Sequence, residues 1–422
     1  MNAEINLHQD AVNLQSGCGP LLGSGLVTAL PLKQQVFEYV RSRGQAARSD
    51  ITHALGISGG SATTLTADLI TGGYLREVES NTRETARGRP RIALEVVAQS
   101  AYVIGIKLAF NKHTAVLADF TGTVIADASL PSGDNSKTVV ETMDEVSRLI
   151  DIILSKADVN WPQIDAVGIG LPGMVDHETE KIVWSPLLRD TQNLFPAAFS
   201  ARFGVPLLID NDANMLTLAE LWFGEGRAMS DFAVVTVESG VGMGLVLNNR
   251  LYRGSRGLGL ELGHTKVQLD GALCRCGQRG CLEAYVADYA LIREAATALG
   301  PVTDLGQSTG DILKSLHQEA AAGHATSKAI FQRACSYLAL GLSNVVQLFD
   351  PEMIILSGER MEHDYLYANE VIEMMRSLTL NEGRTPCRVT VNAWDGLVWA
   401  RGASALALTE VTSSLVYGAR AA

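Results

Sequence analysis

The pattern of apolar positions separates a short helical segment near the N-terminus from a longer body in which strands and helices alternate. Within residues 31–100, apolar side chains recur at helical spacing in three successive stretches, and Gly44 and Gly56 separate these stretches. Ser58 stands where it can cap the third helix. Two strand-like pieces then flank a polar loop, Arg83 to Arg91, which contains four arginines and one acidic residue.

A short helix, a glycine-containing turn, a second helix and a basic loop between strands are typical of a winged helix-turn-helix that reads DNA. Residues 31–100 hold nine Lys and Arg against seven Asp and Glu, a net charge of +2, so the remainder carries −14 of the total of −12. The residues expected to contact DNA are Lys33, Arg48, Ser61, Thr63, Thr64, Arg87, Arg89 and Arg91. Ser58 to Ile70 contains no Lys or Arg, so a three-helix bundle that binds protein stays open as the alternative.

The flanking segments of this predicted head differ from it in pattern. Residues 1–30 are polar and show no sustained periodicity, which predicts a flexible N-terminal arm. From residue 101 onward, β-like stretches alternate with amphipathic helices, which indicates an α/β body.

Composition favours a soluble protein of a reducing cytoplasm. Hydrophobic residues make up 47% of the chain and charged residues 19%, and no apolar run reaches the roughly 18 residues of a membrane span. The first residues, MNAEINLHQD, lack the basic and apolar regions of a secretory signal. The six cysteines are grouped and do not form a disulfide framework.

Three of these cysteines form a C-x-C-x4-C motif, and a histidine precedes it by ten residues. The set is His264, Cys274, Cys276 and Cys281. Three thiolates and one imidazole complete a tetrahedral Zn²⁺ site with no position left for water, so we expect a structural zinc. The alternative is a group of chance free cysteines, which such clustering in a Cys-poor chain disfavours.

This stretch also carries a resemblance to a known family. Gly263-His264, followed by Cys274-Arg275-Cys276-Gly277-Gln278-Arg279-Gly280-Cys281-Leu282-Glu283, resembles the signature of the ROK family of repressors, open reading frames and sugar kinases. The similarity extends from about Leu30 to the C-terminus. It implies an actin-like, ribonuclease-H-like body of two α/β lobes, one formed by 101–213 with about 396–422 and the other by 214–395, which holds the zinc motif.

The resemblance further implies a sugar site for a hexose, an N-acetylhexosamine or a derivative. The residues that match the sugar contacts of the family are Gly173, Asn211, Asp212, Glu261, His264 and Glu283. In related kinases the residue matching Asp212 is the catalytic base. The alternative is that Asp212 and Asn214 only cap the following helix.

The kinase chemistry itself is not expected in this chain. Related kinases carry a D-x-G-G-T turn against the nucleotide phosphates, and Lys107-Leu108-Ala109-Phe110-Asn111 stands there instead. A phenylalanine in that turn obstructs the approach of phosphate to the backbone amides. We therefore expect no catalytic residue, with Asp212 a vestigial base.

The sequence thus predicts a sugar-responsive transcriptional regulator, a repressor of carbohydrate uptake and catabolism genes. It would bind operator DNA as a homodimer or homotetramer, and sugar binding would change the spacing of its two DNA-binding heads. One alternative is an ATP-dependent hexose or N-acetylhexosamine kinase that carries a DNA-binding head. Another is a regulator controlled by a partner protein in place of a sugar.

Overall fold

The computed structural model describes residues 17–21, 30–79, 92–133, 135–189, 194–300, 308–358 and 369–418. Contacts within the chain divide it into two compact units. Within the described residues, the first unit comprises residues 17–230, Val246–Leu258 and residues 396–418. The second comprises Asp231–Leu245 and Gly259–Asp395.

The first unit begins with three helices and a small antiparallel sheet, here called the head. Its elements are α1 (Leu32–Arg43), β1 (Gln45–Ala47), α2 (Arg48–Leu55), α3 (Gly59–Thr71), β2 (Leu75–Glu79) and β3 (Ile92–Val96). The strand order is β1-β3-β2. The Ser58 side chain accepts a hydrogen bond from the Ser61 amide, which confirms the predicted cap of α3. The predicted basic loop, with Arg87, Arg89 and Arg91, lies outside the described residues.

The α/β part of the first unit follows directly. Its elements are β4 (Tyr102–Lys107), β5 (Lys112–Asp119), β6 (Val124–Pro131), α4 (Val139–Leu154), β7 (Ile164–Leu171), β8 (Met174–Asp176), β9 (Lys181–Trp184), α5 (Phe195–Phe203), β10 (Leu207–Asn211) and α6 (Asp212–Phe223). The main sheet has the order β10-β7-β4-β5-β6. Strand β7 is parallel to both β4 and β10, so these three strands end at the same edge, where open α/β sheets bind ligands.

The remaining strands and helices divide between the two units: Asp231–Leu245 and Gly259–Asp395 belong to the second unit, and Val246–Leu258 and residues 396–418 belong to the first. In chain order the elements are β11 (Phe232–Val237), β12 (Val241–Leu247), β13 (Arg250–Tyr252), α7 (Glu283–Val286), α8 (Asp288–Leu299), α9 (Thr309–Ala321), α10 (Ala325–Phe349), β14 (Met353–Ser357), α11 (Asn369–Leu378), β15 (Arg388–Asn392) and α12 (Val398–Tyr417). Strand β14 pairs in parallel with β11 and β15. No helix among the described residues is long and apolar enough to cross a membrane.

Glycines bring α12 into backbone contact with the sheet and with α6. A Cβ atom added to Gly168 of β7 would overlap the carbonyl oxygen of Ala403 in α12. One added to Gly402 of α12 would overlap the carbonyl oxygen of Met215 in α6. The neighbouring residue Ile169 points to the opposite face, where it joins the core formed with α4 and α5.

The boundary between the units differs from the predicted one. Residues 214–230 and 246–258 were expected in the lobe 214–395 but belong to the first unit. The reason is that α6 continues from β10 and packs on α12 over its length. The head belongs to this unit too, since Phe37 of α1 is fully buried with its ring 4.7 Å from that of Phe120.

Candidate functional site

The second unit brings together the four predicted metal ligands. One ligand atom each from His264, Cys274, Cys276 and Cys281 lies within 4.8 Å of all the others. The Sγ atom of Cys274 is 3.8 Å from Nδ1 of His264, and the Sγ atoms of Cys276 and Cys281 are 3.7 Å apart. Ligands bound about 2.3 Å from one tetrahedral ion lie about 3.8 Å from each other, so the donor set fits a single zinc ion.

A tight turn forms the cysteine part of this cluster. Gly277 and Gly280 have φ angles of 85° and 76°, in the left-handed region that favours glycine. A Cβ atom on Gly280 would also overlap the carbonyl oxygen of Gln268. The Cys274 amide donates to the carbonyl oxygen of Gln278 at 2.8 Å and closes the turn. The backbone therefore holds the thiols in place through local hydrogen bonds.

The thiols of the cluster bind a metal ion only after they lose their protons. Burial raises the pKa of Cys274 to about 12, so this thiol keeps its proton until a metal ion displaces it. Lys266 donates through Nζ to Sγ of Cys281 at 2.9 Å, and this hydrogen bond raises the pKa of Lys266. Metal affinity should therefore fall as the pH falls and protons compete for the sulfur atoms.

The three predicted sugar contacts of the second unit flank the metal cluster. Glu261 immediately precedes the 3-10 turn Leu262–His264, which ends at the histidine ligand. Glu283 begins α7 and is only 9% exposed. Its Oε1 atom lies 3.5 Å from Sγ of Cys274 and 3.4 Å from the Tyr289 hydroxyl, which acts as donor. An ion at the cluster would thus fix the surroundings of His264 and Glu283.

The other three predicted sugar contacts lie in the first unit. Gly173 follows β7 with a φ angle of 137°, and Asn211 ends β10 at the same sheet edge. The Asn211 side chain accepts a hydrogen bond from the Asn214 amide at 2.7 Å and caps α6. The cap is therefore Asn211, whereas the sequence alternative assigned this role to Asp212 and Asn214.

Asp212 begins α6 and has a polarised carboxyl group. Its Oδ1 atom accepts a hydrogen bond from the Ala213 amide at 2.9 Å. Burial raises the pKa of Asp212, and the nearby charge of Lys107 acts in the opposite direction. The carboxyl group can therefore accept or, once protonated, donate a hydrogen bond to a ligand hydroxyl.

Asp210 and Arg253 form a buried ion pair that sequence reasoning missed. Nε of Arg253 lies 2.6 Å from Oδ2 of Asp210, and Asp210 is 3% exposed. The other oxygen of Asp210 accepts from the Asn211 amide at 2.8 Å and from Nδ2 of Asn214 at 2.7 Å. This network fixes the end of β10. The position of Asp210 beside Asn211 was a visible signal, but its partner lies 43 residues away.

In the turn 107–111, which stands where related kinases have the phosphate-binding turn, the Ala109 amide has a hydrogen-bond partner within the protein. The Ala109 amide donates to Nδ1 of His113 at 3.2 Å, and Nε2 of His113 lies 3.0 Å from Oε2 of Glu145. Nδ1 must be the unprotonated nitrogen, so Nε2 donates to the carboxylate. Burial lowers the pKa of His113, which agrees with this neutral form. Lys137 also contacts Glu145 at 2.6 Å, and sequence reasoning missed this group as well.

The predicted DNA contacts fall into two groups within the head. Ser61, Thr63 and Thr64 are exposed on α3. Arg48 is engaged within the head, because its guanidinium donates to the Thr66 hydroxyl at 2.9 Å and pairs with Glu77 at 2.8 Å. Its expected contact with phosphate would require that pair to open. Lys33 is half-buried near the start of α1.

Replacing one cysteine of the cluster should abolish metal binding. We expect wild-type protein to bind one Zn²⁺ per chain at neutral pH and Cys276→Ser to lose most of it, because three ligands hold the ion less tightly than four. Cys335→Ser, outside the cluster, is the matched control and should keep the ion. Metal content after gel filtration, measured by atomic emission, tests this. Wild-type protein without zinc, or a Cys276→Ser protein with full zinc, would contradict the assignment.

Curated relatives align over most of the chain. A xylose repressor from Caldicellulosiruptor bescii is 27% identical over 335 residues, which cover 78% of this chain and 83% of the relative. An N-acetylglucosamine repressor from Escherichia coli O6:H1 is 25% identical over 359 residues, which cover 83% and 86% respectively.

Solved structures match as well. A ROK hexokinase from Thermus thermophilus is 26% identical, with a TM-score of 0.62, over 74% of this chain and 99% of its own. A ROK family transcriptional regulator, described as a homolog of the E. coli MLC protein, shares the fold with a TM-score of 0.74 at 21% identity, over 92% of this chain and 97% of its own. The model of the ROK family matches residues 103–410. Since this match spans well over half of the chain, the protein belongs to the ROK family.

Proposed function

We propose that this chain is a sugar-responsive DNA-binding transcriptional regulator that represses genes of carbohydrate uptake or catabolism. The observation that carries the proposal is the combination of a ROK body with a head of three helices and an antiparallel sheet. The relatives named xylose repressor and N-acetylglucosamine repressor, which align over more than three quarters of the chain, support it.

The head is proposed to be a winged helix-turn-helix with α3 in the major groove. The exposed hydroxyls of Ser61, Thr63 and Thr64 would contact base edges, and Lys33 would contact phosphate. Arg48, Arg87, Arg89 and Arg91 supply the remaining proposed phosphate contacts. Regulators of this type read two half-sites, so we propose that the chain acts as a homodimer or homotetramer.

The effector is proposed to be a hexose, an N-acetylhexosamine or a derivative. Asn211 and Asp212, with Gly173, offer an amide, a carboxyl group and exposed backbone at the carboxyl edge of the main sheet. Glu261, His264 and Glu283 are the remaining proposed sugar contacts. A site that pairs each hydroxyl of a sugar rejects analogues that lack one, which suits an effector-specific regulator.

Zinc is proposed to stabilise the positions of Glu261, His264 and Glu283. The ion would be held by His264 and the three cysteines, and it would fix the position of His264. All four ligand positions are filled by protein atoms, so its proposed role is structural.

The DNA contacts of α3 can be tested by mutation. Replacing Ser61, Thr63 and Thr64 together by alanine should weaken binding to the DNA upstream of its own gene by about tenfold or more, because the three hydroxyl contacts, each weaker than a bidentate pair worth roughly 1–3 kcal/mol, are lost together. Binding to unrelated DNA should change little, since phosphate contacts remain. Fluorescence anisotropy at fixed ionic strength measures both. Ser336→Ala, exposed on α10, is the control. An unchanged preference for the upstream DNA would exclude this surface of α3 from base reading.

The kinase alternative is favoured only by the similarity to the hexokinase fold. Against it, the Ala109 amide already donates to the buried His113 side chain, and a nucleotide phosphate would have to displace that contact. We therefore expect no sugar-dependent consumption of ATP above background with glucose, N-acetylglucosamine or xylose. A coupled assay for ADP release tests this directly. A sugar-dependent rate that Asp212→Asn abolishes would establish the kinase reading instead.

A further inference from the structure

Residues 17–21 of the first unit join three separate segments. We call Gly17–Leu21 the clip. Three of its amides donate to carbonyl oxygens at the end of α1, at the end of α6 and in the 3-10 turn after α6: Cys18 to Arg41 at 3.2 Å, Gly19 to Trp222 at 3.0 Å and Leu21 to Arg227 at 2.8 Å. The clip therefore bridges the head and the α/β part of the same unit. This differs from the flexible arm predicted for residues 1–30, most of which lies outside the described residues.

The clip fits its groove closely. Gly17 has a φ angle of 113°, and an added Cβ atom would overlap the carbonyl oxygen of Arg41. Cys18 is 5% exposed, and its thiol donates to the carbonyl oxygen of Thr121 at 2.7 Å. A Cβ atom on Gly122 would overlap that sulfur. Small residues on both sides let the backbones approach, which a loosely attached segment would not require.

Arg227 ties the clip to the end of α1. Its Nε donates to the carbonyl oxygen of Gly19 at 3.0 Å, and its Nη2 donates to the carbonyl oxygen of Ser42 at 2.6 Å. Arg227 is 3% exposed. Removing its guanidinium would leave two buried carbonyl oxygens short of a charged donor, which weakens the attachment of the head.

Arg41 makes a second connection between α1 and α6. Its guanidinium carbon lies 4.5 Å from the ring centroid of Trp222, the next-to-last residue of α6. Its Nη1 donates to the Thr412 hydroxyl of α12 at 2.8 Å. The guanidinium cation is attracted electrostatically to the face of the buried Trp222 ring. The end of α1 is therefore expected to move together with the end of α6.

Helix α6 connects this attachment to the proposed sugar site. It starts at Asp212, ends at Phe223 and spans about 18 Å at 1.5 Å per residue. The backbone of α6 at Met215 contacts the backbone of α12 at Gly402, which leaves little room for α6 to bend between Asp212 and Phe223. A shift of the N-terminus of α6 would therefore appear at Trp222 as a shift of the whole helix.

We propose that the clip and Arg227 transmit the ligand state of Asp212 from α6 to the DNA-binding head. The inference rests on the proposed function, in which a sugar binds at Asp212 and the head binds DNA. A sugar that prefers one position of α6 changes the orientation of the head only if head and helix stay joined. The clip and Arg227 are thus positioning elements that contact neither the sugar nor the DNA.

The test compares Arg227→Ala with the wild type and with Arg202→Ala. Arg202 forms an exposed ion pair with Asp144 in the same unit, so its loss is a matched change of charge. The DNA probe is the fragment upstream of the protein's own gene, and the sugar probes are a panel of hexoses and N-acetylhexosamines, with xylose added. Wild type and Arg202→Ala should change DNA affinity by about 5- to 150-fold with one sugar, the usual range of allosteric coupling. Arg227→Ala should keep its affinity without sugar within about threefold and lose most of the sugar effect.

The outcomes separate the inference from the proposed function. Arg227→Ala with a full sugar effect overturns the inference and leaves the function standing. A wild type with no sugar effect contradicts the proposed sugar regulation, and the inference with it. Hydrogen exchange of the wild-type protein provides a measurement that does not depend on folding of the variant. The amides of Cys18, Gly19 and Leu21 should change their exchange rates when the active sugar is added, and unchanged rates would also overturn the inference.

Discussion

The first unit depends on backbone contact between α12, the main sheet and α6. Gly168 and Gly402 permit this contact, since a Cβ atom at either position would overlap a carbonyl oxygen of the facing helix. Such packing leaves little free volume between the backbones, so the elements that it joins shift together. It makes α6 a rigid connection between Asp212 and the end of the head, and the proposed regulation requires such a connection.

The second unit is organised by short-range chemistry. The turn at Gly277 and Gly280 brings Cys276 and Cys281 to 3.7 Å, and the buried carboxyl group of Glu283 lies against Cys274. In small irregular loops a bound ion can supply stability that a hydrophobic core does not. The proposed zinc would therefore hold loop residues in place that are not held by a helix or a strand.

Local patterns made part of this structure predictable from sequence. The ligand cluster depends on residues within 18 positions of each other, and the cap at Ser58 depends on one turn of helix, so spacing alone identified both. Contacts between distant segments were missed. The thiol of Cys18 meets Thr121 across 103 positions, and the Asp210–Arg253 pair spans 43.

Composition led to a wrong expectation for the clip, residues 17–21, which was predicted to be part of a flexible arm. The clip looks flexible because glycine-rich polar sequence has no periodicity, yet glycine is what allows it to enter a groove between backbones. The sequence suggested Asp212 and Asn214 as caps of α6, whereas the geometry assigns the cap to Asn211. The replacement of the kinase turn could be read from the sequence, whereas the use of the Ala109 amide by His113 could not.

We propose that a sugar bound at Asp212 controls DNA binding. The most direct test is fluorescence anisotropy of the upstream DNA, titrated with a panel of hexoses, pentoses and N-acetylhexosamines, for the wild type and for Asp212→Asn. We expect at least one sugar to change the DNA affinity of the wild type, and we expect Asp212→Asn to bind DNA normally without responding to that sugar. A response of Asp212→Asn equal to that of the wild type would show that Asp212 does not mediate the regulation.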